Sequence, residues 1–297
     1  MSGQRIAVIA HSGKSLGGGL AELRRVLAEH GETEIFWREV PKSRFAPKQV
    51  QKALDRKIEL IFVWGGDGMV QRCIDVAAGS KATIAIIPAG TANLLATNLG
   101  IPKRIDAAVE IGLSTSRRRL DVGRLNGERF AVMAGAGFDA KMIGDADGTL
   151  KDHFGRLAYI WTGAKNLRMK PFRAKIAVDG ARWYRGEASC ILLGNVGKLF
   201  GGVEAFEDAR PDDGMLELGV ISADGTRQWV QTIARAVVGT AAKSSHAHTT
   251  KAHSVRITLD RKVPYELDGG DRKKTRKLRI EIEPSAVEIC VPVPGPA

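Results

Sequence analysis

Over the first hundred residues, short apolar runs alternate with helix-length amphipathic segments. Residues 5–10 read as a strand, followed by a polar, glycine-rich stretch over 11–19 and a helix over about 20–30. Residues 34–37 read as a second strand and 46–56 as a helix. Residues 60–64 are an unbroken apolar run, the pattern of a strand covered on both faces, and residues 83–87 read as the next strand. Helices are expected over 70–78, from about Ala92, and over 105–112, with Gly100-Ile101-Pro102 closing the second of them. Strands alternating with helices predict a parallel, doubly wound sheet, whose ligands bind at the carboxyl ends of the strands.

Near Leu120 the period changes. Helical spacing fades, and short strands with turns are expected over 120–125, 130–134, 174–178, 181–186, 190–194, 215–221 and 254–259, with a final strand over 286–291. Helical stretches over about 155–167 and 227–242 interrupt them. The expected fold is therefore an α/β, doubly wound N-terminal domain over 1–120 and a mostly β, sandwich-like domain over 121–285.

A chain of 297 residues has ample length for two such cores. Its net charge of +12 favours an acidic partner: anionic lipid, nucleic acid or nucleotide. Few aromatics lie among the basic clusters, which argues against a single-stranded nucleic-acid platform, so no nucleic-acid partner is expected. Cys73, Cys190 and Cys290 are odd in number, far apart and without metal-ligand spacing, as in a reduced, cytoplasmic protein. No signal-like leader and no apolar run of about 18 residues are present, so membrane contact is expected to be peripheral. The pattern carries no oligomeric state.

Candidate chemistry begins where the two apolar runs end. Gly65, Gly66, Asp67 and Gly68 follow the first run; Pro88, Ala89, Gly90 and Thr91 follow the second. The three glycines are expected to take positive φ and let the backbone approach a ligand. Their N–H groups and the next helix would make an anion site. Either turn alone reads equally as an ordinary loop, whereas two at adjacent strand ends point to one nucleotide held between them. Ser12-Gly13-Lys14-Ser15 is not a P-loop, because Val8 stands where that motif requires glycine.

At this spacing, Gly65-Gly66-Asp67-Gly68 and Pro88-Ala89-Gly90-Thr91-Ala92-Asn93-Leu94-Leu95-Ala96 resemble the diacylglycerol kinase catalytic domain in its bacterial lipid kinase branch. NAD kinases share the Gly-Gly-Asp-Gly turn, but the Gly-Thr-Ala-Asn stretch with a following apolar helix is similar to lipid kinases. Met69 stands where that family usually has Thr, and Gln71 where it usually has Asn. The resemblance implies ATP and Mg2+, with ATP bound by Gly65, Gly66, Asp67, Gly68, Met69, Val70, Gln71, Gly90, Thr91 and Asn93. Asp67 would hold magnesium on the nucleotide, with Thr91 and Asn93 near phosphates or ribose. Lys14, in a Ser-Gly-Lys segment similar to the family's, would join a charged network of the active site; on spacing alone it is a solvated loop lysine. The last strand, within 286–297, would return to complete the first domain.

In the second domain, Asp212, Asp213 and Gly214 suit a hard divalent cation, but on sequence alone they read first as an Asp-Gly turn entering a strand. The resemblance implies a magnesium site of Asp213 with the carbonyls of Arg210 and Met215. Gly135-Ala136-Gly137-Phe138-Asp139-Ala140 reads as a strand-end turn and, like residues 155–159, is similar to lipid kinase segments. His246, His248 and His253 read as a polar linker rather than a zinc site. Arg117-Arg118-Arg119 reads as a membrane-facing patch or a solvated helix end. Residues 272–279 hold six basic residues in eight. They would dock on anionic headgroups at about 1 kcal/mol per charge, or form a basic hairpin in water.

The proton acceptor is the open point. The lipid kinases resemble one another in an Asp-Gly-Glu turn, and here the run is Asp268-Gly269-Gly270-Asp271, with Gly270 at the Glu position. Asp271 is one residue late and would face the wrong side of a straight strand, but two glycines permit a bulge or tight turn that re-aims it. Asp271 is the expected base and Asp268 the runner-up. The reading is an ATP-dependent lipid kinase that transfers the γ-phosphoryl group to a lipid hydroxyl such as that of diacylglycerol. Its lipid substrate lies against the β domain's apolar face, at an anionic membrane surface. The alternatives are a kinase of the same fold acting on NAD, and a degenerate member that binds without turnover.

Overall fold

The computed structural model describes residues 5–137, 171–198, 206, 208–222 and 247–293. The chain falls into two units, Met1–Val122 with Pro284–Ala297, and Gly123–Glu283.

The first unit is α/β. Strands β1 (Ile6–His11), β2 (Ile35–Val40), β3 (Leu60–Gly65) and β4 (Thr83–Pro88) are parallel, in the order β2–β1–β3–β4. The end of β14 (Gly270–Cys290) adds a fifth parallel strand beside β4, pairing Glu288 with Thr83 and Ile289 with Ile84. Helices α1 (Gly19–Glu29), α2 (Ala46–Asp55), α3 (Asp67–Ala77), α4 (Leu94–Asn98) and α5 (Ile105–Leu113) connect the strands. Every residue of β3 and β4 is buried, which is why both are almost wholly apolar. The chain leaves β1 toward β2 on one side, and β3 and β4 lie on the other. The sheet's switch point thus falls between β1 and β3 at their carboxyl ends.

The second unit is antiparallel. It contains β6 (Glu128–Phe130), β7 (Met133–Ala136), β8 (Phe172–Val178), β9 (Ala181–Ala188), β10 (Cys190–Gly194), β11 (Leu216–Ile221), β12 (Ala247–Ala252), β13 (Ser254–Leu267) and the first part of β14. The order is β12–β11–β10–β7–β13–β14, with β8 also on β13 and β9 on β8. One face of these strands forms a core that includes Phe130, Phe172, Ile176, Ile191, Leu218, Ile257 and Leu278. Among the described residues, three two-residue hairpin turns have both residues at positive φ: Asn126-Gly127, Asp179-Gly180 and Asp268-Gly269. Such turns match the twist of the flanking strands.

Several boundaries differ from expectation. Helix α3 begins at Asp67 rather than near Val70, because the Gly66 carbonyl accepts from Met69 N at 2.8 Å and Val70 N at 3.1 Å. Arg117, Arg118 and Arg119 open strand β5 (Arg117–Leu125) instead of ending a helix. The strand expected over 130–134 is broken at Ala131 and Val132, whose N–H groups turn to the Asp268 carboxylate. The supposed polar linker with His248 is strand β12, paired with β11. In β14 the buried positions change from even (Leu278, Ile280) to odd (Val287, Ile289) across Ser285, whose φ is 50°. The helices expected over 155–167 and 227–242, residues 138–140 and 155–159, and His246 lie outside the described residues.

Candidate active site

Both glycine turns leave the carboxyl ends of neighbouring parallel strands, β3 and β4. They touch through backbone. A Cβ on Gly90 would lie 2.3 Å from Gly66 Cα, and one on Gly65 would lie 2.6 Å from Met69 Cβ. The expected positive φ is not what glycine supplies here: Gly65, Gly66, Gly68 and Gly90 all avoid that region, and Gly66 has φ −97°. The requirement is space, so that two chain segments can meet without side chains between them. At Gly68 a Cβ would meet nothing within 4 Å, which leaves the first turn of α3 open on that side.

Asn93 fixes the second turn. It sits at φ 51°, ψ 50° and is 6 % exposed. Its Oδ1 accepts from Gly90 N at 2.9 Å, and its Nδ2 donates to Pro88 O at 3.2 Å and Gly90 O at 2.9 Å. The amide is therefore spent on the turn's own backbone, while Thr91 is exposed beside it. Met69, Val70 and Gln71 are 2 %, 4 % and 3 % exposed, so they offer a ligand backbone rather than side chains.

Asp67 joins the two turns. Its Oδ1 accepts from Leu94 N, at the start of α4, at 2.6 Å. Burial pushes its carboxyl above the usual carboxylate range, although backbone N–H groups of α4 pull the other way. A carboxylate held partly desolvated at a strand end is poised for a cation, which would return it to the ionised form. Lys14 follows β1 near the same edge. Its carbonyl accepts from Trp64 Nε1 at 3.2 Å, and its side chain is exposed, with no ion pair among the described residues.

In the second unit, Asp268 is not a proton acceptor in waiting. It is 4 % exposed. Its Oδ2 accepts from Ala131 N at 2.8 Å, and its Oδ1 from Val132 N at 3.0 Å and Met133 N at 2.8 Å. The carboxylate ties the β13–β14 turn to the β6–β7 connection. Asp271 lies two residues past that tight turn, exposed and paired across the hairpin with Glu266; the turn, rather than a bulge, sets its direction. Glu266, a residue the sequence reading passed over, is 1 % exposed. Burial, and after it the nearby Glu266 carboxylate, push the Cys190 thiol up to about 12. The signal of Glu266 in the sequence was a carboxylate within an otherwise apolar strand end.

Comparison with known proteins decides what these turns belong to. Residues 5–125 match the model of the diacylglycerol kinase catalytic domain, and residues 132–291 that of the YegS C-terminal NAD kinase beta sandwich-like domain. The chain belongs to the diacylglycerol kinase catalytic-domain family. It is 30 % identical to a Bacillus subtilis diacylglycerol kinase over 75 % of each chain. It is 26 % identical to a probable lipid kinase YegS-like protein of Shewanella frigidimarina, over 90 % of this chain and 87 % of that one. The crystal structure of a putative diacylglycerol kinase from Bacillus anthracis superposes with a TM-score of 0.81 at 23 % identity, covering 97 % of this chain and 95 % of that one. An Archaeoglobus fulgidus NAD kinase in complex with ATP has a TM-score of 0.55 at 12 % identity, covering 96 % and 93 %. The fold is the family's: an α/β catalytic domain followed by a β sandwich-like domain.

The magnesium that the family implies at Asp213 does not fit the donors present, because a cation of the chain's own is already there. Lys251 Nζ lies 3.2 Å from Asp213 Oδ2, 3.2 Å from Glu217 Oε1 and 3.3 Å from the Asp208 carbonyl. The other Asp213 oxygen accepts from Met215 N at 3.0 Å. Desolvation pulls Lys251 down, and the two carboxylates more than offset it, leaving the ammonium above its ordinary range. Among the described residues no cluster of three His, Cys, Asp or Glu side chains is arranged to hold a metal. Arg210, Asp213 and Met215 thus form a turn neutralised by lysine. Among the described residues, also, no helix is long and apolar enough to cross a membrane.

Proposed function

We propose that this family member is an ATP-dependent lipid kinase, transferring the γ-phosphoryl group of magnesium–ATP to a lipid hydroxyl such as that of diacylglycerol. One observation carries the reading: two glycine turns at adjacent strand ends meet backbone to backbone at Gly66 and Gly90, with the partly desolvated Asp67 between the helices they open. Phosphoryl transfer is mostly positioning and charge stabilisation, so a backbone cradle with one carboxylate for the nucleotide's magnesium is the machinery it needs. Gly65, Gly66, Gly68, Gly90 and Thr91 would receive the phosphates, and Asp67 the magnesium they carry. The acceptor oxygen attacks Pγ and the Pγ–O bond to ADP breaks. The hydroxyl proton passes to a carboxylate, for which we assign Asp271. Relatives named diacylglycerol kinase and probable lipid kinase support the lipid acceptor.

The second reading, NAD as acceptor, is favoured by the resemblance of fold to an NAD kinase. Transfer of label from γ-labelled ATP across a panel of diacylglycerol, phosphatidylglycerol and a sphingoid base, with NAD alongside, separates the two. A labelled lipid is the expected product; labelled NADP alone would overturn the lipid reading. No labelled product would leave a member that binds without turnover. Asp271→Asn is expected to lower kcat about 10²-fold or more, the usual range for a lost general base. Unchanged turnover would remove Asp271 from the mechanism.

A further inference from the structure

The second unit carries a charged face that the glycine turns do not use. Strands β9, β8, β13 and β14 lie side by side, and one face of β8, β13 and β14 is core. The register brings the opposite side chains into rows. Arg185, Lys175, Thr258 and Lys277 are successive cross-strand partners in one row; Arg182, Ala177, Arg256 and Arg279 are partners in the next. Lys175, Arg182, Arg185, Arg256, Lys277 and Arg279 are all exposed. None is in an ion pair with a described residue. Two grooves of about 520 and 440 Å³ run along this face and share Lys175, Arg185 and Thr258; Glu187 and Asp260 also line the larger one.

Like charges directly opposite destabilise a strand pair, and here Lys175 faces Arg185 and Arg256 faces Arg279. Basic residues on an edge strand such as β9 would be accounted for by protection against edge-to-edge pairing. That account does not reach β13, which has neighbours on both sides. A basic face kept against its own repulsion calls for an anionic partner of comparable breadth. Single-stranded nucleic acid would be bound on aromatic platforms, and the two rows hold none.

The basic run over 272–279 adds less than its composition promises. Arg272 is bound to Glu128 at 2.8 and 2.6 Å, and Lys277 and Arg279 already belong to the two rows.

We infer that the outer face of β8, β9, β13 and β14 docks on the anionic phospholipid headgroups of a bilayer, with Lys175 and Arg256 at its centre. The inference rests on the proposed lipid acceptor and adds the surface by which the enzyme would reach it.

Co-sedimentation with phosphatidylglycerol–phosphatidylcholine vesicles, and with phosphatidylcholine vesicles alone, tests it. Binding is expected on the anionic vesicles and should weaken with salt. The double variant Lys175→Glu/Arg256→Glu is expected to lower the partition coefficient about 10-fold or more. Lys175→Gln/Arg256→Gln, which relieves repulsion without adding acid, should lower it less and leave the melting temperature unchanged or higher. Lys273→Glu/Lys274→Glu, at the hairpin, is the comparator and should lose less than the first pair. Wild-type-like binding by both central variants, or a larger loss in the comparator, overturns the docking face. Tighter retention on single-stranded RNA than on vesicles overturns the lipid occupant.

Failure of the lipid kinase reading is separable, because the label-transfer panel can be run in neutral detergent micelles. An empty panel with vesicle binding still lost in Lys175→Glu/Arg256→Glu removes the activity and keeps the face. A labelled lipid with unaltered vesicle binding in that variant does the reverse.

Discussion

Asp67-Gly68 and Asp268-Gly269 are the same dipeptide doing opposite work in the two units. In the second unit both residues take positive φ, at 45° and 77°, and close a two-residue hairpin. The Asp268 carboxylate spends itself on three backbone N–H groups. In the first unit neither residue takes positive φ, and the pair opens helix α3. Asp67 accepts from Leu94 N but is desolvated enough for burial to raise its pKa. The difference lies in access: Asp268 is buried with both oxygens on backbone N–H groups, whereas Asp67 is only half-buried at the mouth of its turn. A carboxylate closed in by donors is a tie; one still within reach of a ligand is a site for a cation.

The largest effect expected from this contrast is on stability, at Asp268. Asp268→Ala leaves the N–H groups of Ala131, Val132 and Met133 without their acceptor. It should cost roughly 3 kcal/mol or more, given about 1–3 kcal/mol for each buried unsatisfied group. Denaturant unfolding checks it, and a loss below about 1 kcal/mol would break the contrast.

Next come the glycines. Gly90→Ala forces a Cβ to within 2.3 Å of Gly66 Cα and should destabilise by about 1–3 kcal/mol while lowering activity. Gly68→Ala meets nothing within 4 Å, so the melting temperature should hold or rise, since alanine suits a helix better by about 0.5–1 kcal/mol. If the first turn of α3 faces the phosphates, KM for ATP should nevertheless increase in Gly68→Ala. Unchanged KM would move the phosphates away from this turn.

The smallest effect belongs to another Asp-Gly turn, Asp213-Gly214. Lys251→Met should cost no more than about 1 kcal/mol, because the pair is partly solvated. Lys251 has a raised folded pKa, so its contribution is present below the ordinary lysine range and lost as pH rises through the raised value. Magnesium should leave the melting temperature of the nucleotide-free protein unchanged and raise it in Lys251→Met. A saturable magnesium shift in the unaltered protein, abolished by Asp213→Ala, would restore a metal to this turn.

The sequence made the first unit legible because β3 and β4 are buried on both faces and their turns carry three glycines and one. It misplaced the start of α3, since Gly66 caps that helix with backbone alone and Asp-Gly is a weak helix opening. It missed β12, whose Ala-His-Thr-Thr-Lys-Ala run shows almost no apolar face. It also ran residues 130–134 into one strand, because the carboxylate that breaks it lies well over a hundred positions away. Lys251 was hidden for the same reason, 38 positions from Asp213. What local pattern cannot carry is which distant group satisfies a polar residue, and that separates Asp67, Asp213 and Asp268.

The most direct test is a paired measurement on Asp67→Asn: label transfer from ATP, and melting temperature across acidic to neutral pH. A raised folded pKa means that stability is fully present below the ordinary Asp value and lost as pH rises through the raised one. Asparagine removes that loss. The account predicts turnover lower by about 10²-fold or more, as for a removed electrostatic stabiliser, with a neutral-pH melting temperature unchanged or higher and a flatter pH dependence. Normal turnover in Asp67→Asn, or a melting temperature that collapses as at Asp268, would contradict it.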